Sequence, residues 1–310
     1  MSMTTLSLVS KTDHLRFLEA ALHEAMPGVR CLYWGDPGWE QSEVAVCWNP
    51  PHGALAQMPR LRLVHSSGAG VDNILADRAL PDVPLCRIVD DSVTEGMLEF
   101  VVWATLYFHR RFDLAVAHAR QAHWFRPVQP RTARCGVGVL GLGQLGAQVA
   151  RRLADMQFQV AGWSCTPKQI DKVQSFAGRE ALGGFLQRTQ ILINLLPLTA
   201  DTEAILDRHH LAQLPRGAAL VQCGRGQHLV VPDLVALLRS GHLRGAVLDV
   251  FEQEPLGPDD PLWHEPGVLV TPHMAALAKP ATIAQQIAEN MRRLQAGEAL
   301  RHPVDRVRGY

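Results

Sequence analysis

Short apolar segments alternate with longer helical patterns along almost the whole of this 310-residue chain. Segments 136–140, 191–196 and 218–223 illustrate the pattern, because each is apolar or nearly so over its whole length. A strand that is apolar on both faces is typical of a parallel sheet that helices cover on both sides. The alternation therefore predicts an α/β protein built from parallel sheets.

The alternation forms two series, separated by a long helical stretch at 92–124. In the first series we predict helices at 13–25 and 71–79 and five strands, at 6–10, 29–34, 43–48, 61–67 and 84–90. In the second series we predict helices at 144–156, 202–213 and 232–240 and six strands, at 136–140, 158–163, 191–196, 218–223, 245–250 and 267–272. Ser92 and Glu95 form a capping-box pattern at the start of the central stretch, which indicates one long helix or a helix pair.

Two such series predict two doubly wound parallel-sheet domains with an active-site cleft between them. An amphipathic helix at 280–300 can return to the first domain and make it discontinuous. We therefore assign residues 1–100 and 275–310 to a substrate domain, and residues 101–274 to a dinucleotide-binding Rossmann domain.

Charge and cysteine usage argue against several classes of function. Thirty basic residues balance thirty acidic ones, so we expect no nucleic-acid partner. The six cysteines form no CxxC pair, which is typical of free thiols in a reducing compartment. There is no HExxH motif, no signal-peptide pattern and no apolar run of roughly 18 residues, the length of a membrane span. We therefore expect a cytoplasmic protein with no metal site and no membrane partner.

A glycine-rich loop follows the first strand of the second series. Gly141, Gly143 and Gly146 form the pattern GxGxxG directly after an apolar strand and at the start of a helix. Such glycines allow a tight turn, a close approach of pyrophosphate to the backbone and close packing of helix on strand, with the helix N-terminus facing the phosphates. We predict that the whole loop binds a dinucleotide, through Gly141, Leu142, Gly143, Gln144, Leu145 and Gly146.

The next strand of this series ends in a turn that lacks an acidic side chain. An acid about 20 residues after the glycines usually binds the ribose 2′-hydroxyl of NAD, but residues 158–170 contain none. Ser164 and Thr166 can donate hydrogen bonds to a 2′-phosphate, and Lys168 supplies a positive charge. We therefore predict that Trp163, Ser164, Thr166 and Lys168 help to bind NADPH. The alternative is a solvent-exposed turn in an enzyme that tolerates NADH.

Three polar side chains follow the last three strands, on the side where open parallel sheets bind ligands. Arg225 can bind a substrate carboxylate and polarise the neighbouring carbonyl. His273 can protonate the carbonyl oxygen as hydride arrives, and Glu254 can hold the imidazole in its protonated form. Each residue taken singly could be an ordinary loop residue, but together they predict a catalytic set.

Further candidates for cofactor binding stand near the same strand ends: Leu196, Pro197, Thr202, Cys223, Gly224 and Asp249. Leu196 and Pro197 would line the adenine side, and Thr202 would cap the helix that follows. Asp249 would either orient the nicotinamide carboxamide or cap a loop. Cys223 is expected to be a small buried residue.

The first series offers candidates for substrate binding. The backbone N–H groups of Gly68, Ala69 and Gly70 could form a nest for the substrate carboxylate, or the segment could be a structural turn between strand and helix. Trp48 could limit the size of the substrate, or it could be a packed core residue.

These motifs resemble a known family. The segments 136–146 and 222–276 resemble those of the D-isomer-specific 2-hydroxyacid dehydrogenases, and the resemblance spans nearly the whole chain. Segments 66–75 and 95–112, with the serine-containing turn after Trp163, are similar to the glyoxylate/hydroxypyruvate reductase A branch of that family. In that branch a basic residue usually comes soon after the serine, whereas here the base is delayed to Lys168.

The resemblance implies a homodimer in which each subunit has a flavodoxin-like substrate domain and a Rossmann cofactor domain. It implies that Arg225, Glu254 and His273 are the catalytic set of an NAD(P)-dependent D-2-hydroxyacid dehydrogenase. The implied reaction is the NADPH-linked reduction of small 2-oxo acids, glyoxylate to glycolate and hydroxypyruvate to D-glycerate. Two alternatives stay open: an enzyme for a larger acid such as phenylpyruvate, and a non-enzymic nucleotide sensor like the C-terminal-binding corepressors, which resemble the same family.

Overall fold

The computed structural model describes residues 5–11 and 13–306. Residues 1–4, which form part of the segment without a signal-peptide pattern, lie outside the described residues. The chain divides into two compact units, one formed by Met1–Val93 with Leu277–Tyr310 and the other by Thr94–Ala276. The sequence predicts these two boundaries at 100/101 and 274/275.

The described residues form two sheets in which every pair of neighbouring strands is parallel. The first sheet contains β1 (Thr5–Val9), β2 (Arg30–Tyr33), β3 (Val44–Cys47), β4 (Leu63–Ser66) and β5 (Leu85–Cys86). The second contains β6 (Gly136–Leu140), β7 (Gln159–Ser164), β8 (Gln174–Ala177), β9 (Ile191–Asn194), β10 (Ala218–Gln222), β11 (Leu243–Leu248) and β12 (Val268–Val270).

Helices connect the strands. They are α1 (Glu19–Ala25), α2 (Asp72–Leu75), α3 (Asp91–His109), α4 (Phe112–Ala119), α5 (Gln144–Asp155), α6 (Leu182–Leu186), α7 (Arg208–Leu211), α8 (Val231–Arg239) and α9 (Pro280–Ala296). Short 3-10 helices cover 13–18, 39–41, 55–57, 132–134, 179–181, 226–228 and 261–263.

The sheet of the first unit has the strand order β2-β1-β3-β4-β5, which is the flavodoxin-like order. Its apolar strands pack against α1 and α9, and the buried face includes Leu6, Leu8 and Val46. α9 begins at Pro280, where proline fits the first turn, and it ends at Ala296, directly before Gly297, which has a φ of 69°. The predicted amphipathic helix at 280–300 is therefore present but four residues shorter.

The sheet of the second unit has the order β12-β11-β10-β9-β6-β7-β8. Six of these strands, β6 to β11, follow the Rossmann order, and β12 adds a seventh strand at the edge. The chain reverses its direction of winding between β6 and β9, and the crevice outside the carboxyl ends of strands at such a point is where ligands bind. The prediction of two doubly wound parallel-sheet domains is confirmed.

The central stretch at 92–124 is a helix pair, α3 and α4, which ends at Ala119. The break lies at Arg111, whose φ is 61°. The predicted capping box is wrong, because α3 already begins at Asp91 and the Asp90 carboxylate accepts hydrogen bonds from the N–H and the hydroxyl of Ser92. The Asp90 carboxylate therefore caps the start of α3, which is the role that the sequence pattern assigns to Ser92 and Glu95.

Several other elements are shorter than predicted. The strand at 84–90 is reduced to the two residues of β5, since Arg87 N–H bonds to the carbonyl of His302 and leaves the sheet. The helix at 202–213 is reduced to α7, because Ala204 and Leu206 donate their N–H groups to residues 227 and 228. The helix at 71–79 is reduced to α2. The sequence patterns did not reveal β8, an edge strand whose side chains are exposed or half-buried.

Candidate active site

The glycine loop after β6 has the geometry that phosphate binding requires. Gly141 has a φ of 95°, which favours glycine, and α5 begins directly after Gly143. A Cβ atom on Gly146 would lie 1.8 Å from the carbonyl oxygen of Gly141, so only glycine fits there, whereas a Cβ on Gly143 would meet nothing within 4 Å. The open backbone at Gly143 and the N-terminus of α5 can therefore receive a pyrophosphate. Leu142 is buried against Gly162 and supports the loop from behind.

The turn after β7 presents the side chains that were predicted to bind a 2′-phosphate. Thr166 and Lys168 are exposed, and Ser164 is buried with its hydroxyl donating to the carbonyl of Thr166 at 2.8 Å. Trp163 lies in the core, and its indole N–H donates to the carbonyl of Gly178 at 2.8 Å. The side chain of Trp163 therefore anchors the base of the turn, while Thr166 and Lys168 face solvent.

The loop after β9 carries Leu196, which is buried, and Pro197, which is exposed. The prediction that Thr202 caps a helix is wrong. Its hydroxyl donates to the carbonyl of Pro197 at 2.8 Å and accepts from the N–H of Thr199 at 2.8 Å, so it closes the loop itself. The next helix, α7, is capped instead by Asp207.

His273 and Glu254 form the central pair of the site. His273 Nδ1 lies 2.7 Å from Glu254 Oε2, and the other carboxylate oxygen accepts the N–H of Phe251 at 2.9 Å. Burial alone would raise the pKa of Glu254, but the hydrogen bond and charge of His273, the Phe251 N–H and the charge of Arg225 together hold it below its usual range. Glu254 is therefore an ionised partner for the imidazole. Because Nδ1 is directed at Glu254, Nε2 is the ring nitrogen that could exchange a proton with a ligand.

Arg225 lies in the loop after β10, and its charge acts on the same carboxylate. Its side chain is half-buried, and Nη1 donates to the carbonyl of Gly224 at 2.8 Å. The structure therefore brings the three predicted catalytic residues into one cluster at the carboxyl ends of the strands. Before Arg225, Cys223 is buried, which raises the pKa of its thiol. Gly224 has no room for a Cβ, which would lie 2.7 Å from the ring of His228.

Asp249 positions the segment that carries His273. Its carboxylate is 1% exposed and accepts hydrogen bonds from Thr271 Oγ1 at 2.7 Å, Met274 N–H at 2.9 Å and Ala275 N–H at 3.0 Å. The N–H of His273 also donates to the carbonyl of Asp249 at 2.9 Å. Burial raises the pKa of Asp249, and these hydrogen bonds offset only part of that effect. The geometry matches the loop cap that the sequence left open as the alternative role.

Three buried polar residues at this edge of the sheet were missed by sequence reasoning: Asn194, Gln222 and His228, each 0% exposed. They hydrogen-bond to one another and to the backbone of the loops that carry Leu196 and Arg225. A signal existed, because Asn194 and Gln222 are polar residues at the ends of otherwise apolar strands. Polar side chains buried at such ends are expected to have a specific partner.

The substrate-binding candidates of the first unit lie together after β3 and β4. Trp48 packs on Gly68, where a Cβ would lie 2.7 Å from its ring, and it is half-buried. The N–H of Gly68 donates to Ser66 Oγ at 3.1 Å, so the predicted nest is wrong for that residue. Among the described residues, the N–H groups of Ala69 and Gly70 have no acceptor, and these two stay as the predicted contacts.

The described part of the chain contains no helix that is both long and apolar enough to cross a membrane. Within residues 5–11 and 13–306, no three His, Cys, Asp or Glu side chains are grouped as metal ligands.

Comparison with known proteins identifies the family. Residues 102–275, more than half of the chain, match the model of the D-isomer specific 2-hydroxyacid dehydrogenase NAD binding domain. The chain belongs to the D-isomer specific 2-hydroxyacid dehydrogenase family. The predicted family and the predicted enzyme class, a dehydrogenase that uses a nicotinamide cofactor, are thus confirmed.

Solved structures of the family resemble this chain over its whole length. It is similar to a family protein from Klebsiella pneumoniae 342, with 41% identity over 99% of both chains and a TM-score of 0.93. It is similar to one from Xanthobacter autotrophicus Py2 in complex with NADPH and MES, with 41% identity over 100% of both chains and a TM-score of 0.87. An NADPH-dependent glyoxylate/hydroxypyruvate reductase from Sinorhizobium meliloti, in complex with NADP and sulfate, has 37% identity over 99% of this chain and 100% of its own, with a TM-score of 0.88.

Proposed function

We propose that this family member is an NADPH-dependent reductase of small 2-oxo acids, which converts glyoxylate to glycolate and hydroxypyruvate to D-glycerate. The observation that carries the proposal is the His273–Glu254 pair, joined at 2.7 Å beside Arg225 at the carboxyl ends of a Rossmann sheet. The similarity to the glyoxylate/hydroxypyruvate reductase of Sinorhizobium meliloti supports the choice of substrates.

The three residues have complementary tasks in the reduction of a carbonyl. The bound cofactor would contribute hydride-donor chemistry at the carbonyl carbon. Arg225 binds the substrate carboxylate, and its charge polarises the carbonyl next to it. His273 donates a proton from Nε2 to the carbonyl oxygen as negative charge develops there, and the ionised Glu254 stabilises the imidazolium before the transfer.

The chain has a fitting set of residues for the cofactor. The backbone of Gly141–Gly146 would hold the pyrophosphate, and Leu196 and Pro197 would line the adenine. Thr166 and Lys168 would bind the 2′-phosphate, joined by Ser164 if its hydroxyl exchanges its bond to the Thr166 carbonyl for one to the phosphate. The preference for NADPH over NADH is supported by the absence of an acid in residues 158–170 and by the NADPH and NADP in the structures of two similar proteins.

On the substrate side, the N–H groups of Ala69 and Gly70 are the remaining predicted ligands for the carboxylate. Trp48, packed on Gly68, is the predicted limit on the size of the substrate. Substitution of Trp48 by alanine would therefore widen the range of acids accepted. A larger acid such as phenylpyruvate is the alternative substrate, and it requires that Trp48 leave room for a phenyl ring.

We also infer a cytoplasmic homodimer. The cytoplasmic location rests on the cysteine usage of the sequence. The dimer is supported by apolar side chains that are concentrated on α3, α4 and the segment that follows. Among the described residues, six of the eleven exposed large apolar side chains lie between 103 and 128: Trp103, Phe112, Val116, Trp124, Phe125 and Val128.

Steady-state kinetics test the proposed reaction. We would measure kcat/KM for glyoxylate and for hydroxypyruvate, each with NADPH and with NADH, and for phenylpyruvate with both cofactors. We expect both small acids to be reduced, with NADPH strongly preferred. Equal rates with the two cofactors would contradict the 2′-phosphate site, and faster reduction of phenylpyruvate would favour the larger substrate.

A further inference from the structure

A buried network of three side chains joins the loop that carries Arg225 to the loop that carries Leu196 and Pro197. Asn194 ends β9, Gln222 ends β10, and His228 lies in the 3-10 helix after Arg225. Asn194 Nδ2 donates to Gln222 Oε1 at 2.7 Å and lies 3.0 Å from His228 Nδ1. All three side chains are 0% exposed, so their hydrogen bonds are made within the protein and stay strong in its low dielectric.

The network holds the backbone of Arg225 on both sides. The N–H of Arg225 donates to His228 Nδ1 at 3.0 Å, and its carbonyl accepts from Gln222 Nε2 at 2.9 Å. Backbone atoms that are fixed in this way fix the direction in which the side chain leaves the chain. A catalytic arginine needs such support, because its guanidinium must be held close to the productive geometry.

The same network holds the loop on the cofactor side. Asn194 Oδ1 accepts the N–H of Leu196 at 3.1 Å, and His228 Nε2 lies 3.2 Å from the carbonyl of Pro197. A backbone N–H can only donate, so the bond from Arg225 makes Nδ1 of His228 an acceptor and leaves the ring hydrogen on Nε2. The His228 ring is therefore neutral, with its acceptor directed at the arginine loop and its donor directed at the Pro197 loop.

We propose that His228 is a positioning residue that connects the two binding loops, with Nδ1 holding Arg225 for the substrate and Nε2 holding Pro197 for the cofactor. The identity of the substrate in this proposal rests on the proposed function. The hydrogen bonds that join His228 to the two loops do not depend on it. Because the two nitrogens have separate tasks, their contributions can be removed one at a time.

Two conservative variants separate the tasks. His228→Asn keeps an acceptor in the position of Nδ1 and loses the group at Nε2, whereas His228→Gln keeps a donor in the position of Nε2 and loses the acceptor at Nδ1. For His228→Gln we expect the KM for glyoxylate to rise about tenfold, with the Kd for NADPH within about twofold of wild type. For His228→Asn we expect the Kd for NADPH to rise about tenfold, with the KM for glyoxylate within about twofold of wild type. His264→Gln, a change at an exposed histidine of the same unit, is the matched control.

Three measurements on the full-length enzyme decide the outcome: the KM for glyoxylate, the Kd for NADPH by fluorescence titration, and deuterium uptake of peptides covering 223–229 without ligands. We expect faster exchange of these peptides in His228→Gln than in His228→Asn. If both variants only lower the melting temperature, or if both shift KM and Kd alike, the proposal is overturned. If the wild-type enzyme does not reduce glyoxylate, the proposed function fails while deuterium uptake and the Kd still test the network.

Gln222→Met provides a second route if the His228 variants do not fold. Methionine has nearly the same shape but cannot donate to the carbonyl of Arg225. We expect it to raise the KM for glyoxylate about as much as His228→Gln does and to leave the Kd for NADPH within about twofold. An unchanged KM in this variant would overturn the part of the proposal that concerns Arg225.

Discussion

His273 has an uncommon backbone conformation, with a φ of 50°. Residues other than glycine rarely adopt positive φ, and such conformations persist where surrounding contacts impose them. Here the contacts come from Asp249, whose carbonyl accepts the N–H of His273 and whose carboxylate accepts the N–H groups of the two residues that follow. One buried acid thus directs the imidazole towards Glu254. The hydrogen bond between Nδ1 and Glu254 then leaves Nε2 as the ring nitrogen that would face the proposed substrate.

The proposed catalytic role of His273 predicts a specific defect. Replacement of His273 by alanine should lower kcat by about 10²- to 10⁴-fold, because the variant loses the proposed proton donor. The Kd for NADPH should stay within about twofold, since the glycine loop and the turn after β7 belong to other elements. His264→Ala is the control for loss of an imidazole at an exposed position. Wild-type turnover in His273→Ala would disprove the assignment.

The turn after β7 is the short element that we propose selects the cofactor. Trp163 and Ser164 are buried and connect the turn to the sheet, while Thr166 and Lys168 face solvent. Because the element contains a cation and no carboxylate, it attracts a phosphate and would not repel it. A carboxylate at the same place would bind a ribose hydroxyl instead.

Removal of this cation should weaken the binding of NADPH and leave the binding of NADH unchanged. Lys168→Ala is expected to raise the KM for NADPH about tenfold, the cost of one charge-assisted hydrogen bond, and to leave the KM for NADH unchanged. Lys172→Ala is the matched control, since Lys172 pairs with Asp155 at 3.1 Å on the surface. The two KM values should be measured at low salt, where exposed charges are least screened. A parallel change with both cofactors would contradict a 2′-phosphate contact.

In the first unit, a neutral histidine connects β4 to α9 through a hydrogen bond, and we call this contact the joint between β4 and α9. His65 is buried, with Nδ1 2.8 Å from the carbonyl of Ser66 and Nε2 3.1 Å from Asn290 Nδ2. Burial and, to a smaller extent, the charge of the nearby His302 lower the pKa of His65 from 6.5 to about 4, although the hydrogen bond to the carbonyl of Ser66 acts in the opposite direction. Asn290 in turn bonds to both the N–H and the carbonyl of Arg301, which ties the segment after α9 to the same joint.

This depressed pKa predicts a loss of stability in acid. Between pH 6.5 and about 4 the unfolded chain binds a proton at His65 and the folded chain does not, so the stabilisation is complete above pH 6.5 and is lost as the pH falls towards 4. The loss is on the order of 3 kcal/mol at most, from about 1.4 kcal/mol per pH unit. Urea unfolding at pH 7, 6 and 5 should show a shallower pH dependence in His65→Gln than in wild type. Equal slopes would contradict the prediction, and His264→Gln is the control.

At the scale of the whole molecule, the exposed apolar residues of α3 and of the segment after α4 bear on the oligomeric state. Phe100, Trp103 and Tyr107 follow one another along α3, with ring centroids 5.4 and 5.8 Å apart, and Trp103 is 42% exposed. Trp124, in the segment after α4, is 90% exposed. Such a concentration of apolar surface is typical of a protein–protein interface, and in a homodimer the same surface meets its own copy.

A charge placed in this surface should therefore dissociate the proposed dimer. We expect wild type to elute with twice the mass of one chain in size-exclusion chromatography with light scattering, and Trp103→Glu to shift towards the monomer. Trp34→Glu is the control, because Trp34 is similarly exposed, at 44%, but lies in the first unit. A monomeric wild type, or a dimeric Trp103→Glu variant at micromolar concentration, would contradict this interface.

The sequence by itself determined the features of the fold that depend on residues close together along the chain. Hydrophobic runs marked most strands of both sheets to within two residues at each end. The spacing of Gly141, Gly143 and Gly146 marked the turn, since its requirements are local. The proximity of Arg225, Glu254 and His273 could be predicted because each follows a strand, and the carboxyl ends of parallel strands lie on one edge of a sheet.

What only the tertiary structure decided is which partner each polar group takes. Asp249 caps the His273 segment, Thr202 closes its own loop, and the N–H of Gly68 is used by Ser66. The tertiary structure likewise decided the backbone pairing of the edge strand β8 and the side-chain partners in the buried network around His228. Each of these outcomes is a choice among several acceptors or donors that only folding brings within about 3 Å of one another. Hydrophobic periodicity carries no information about that choice.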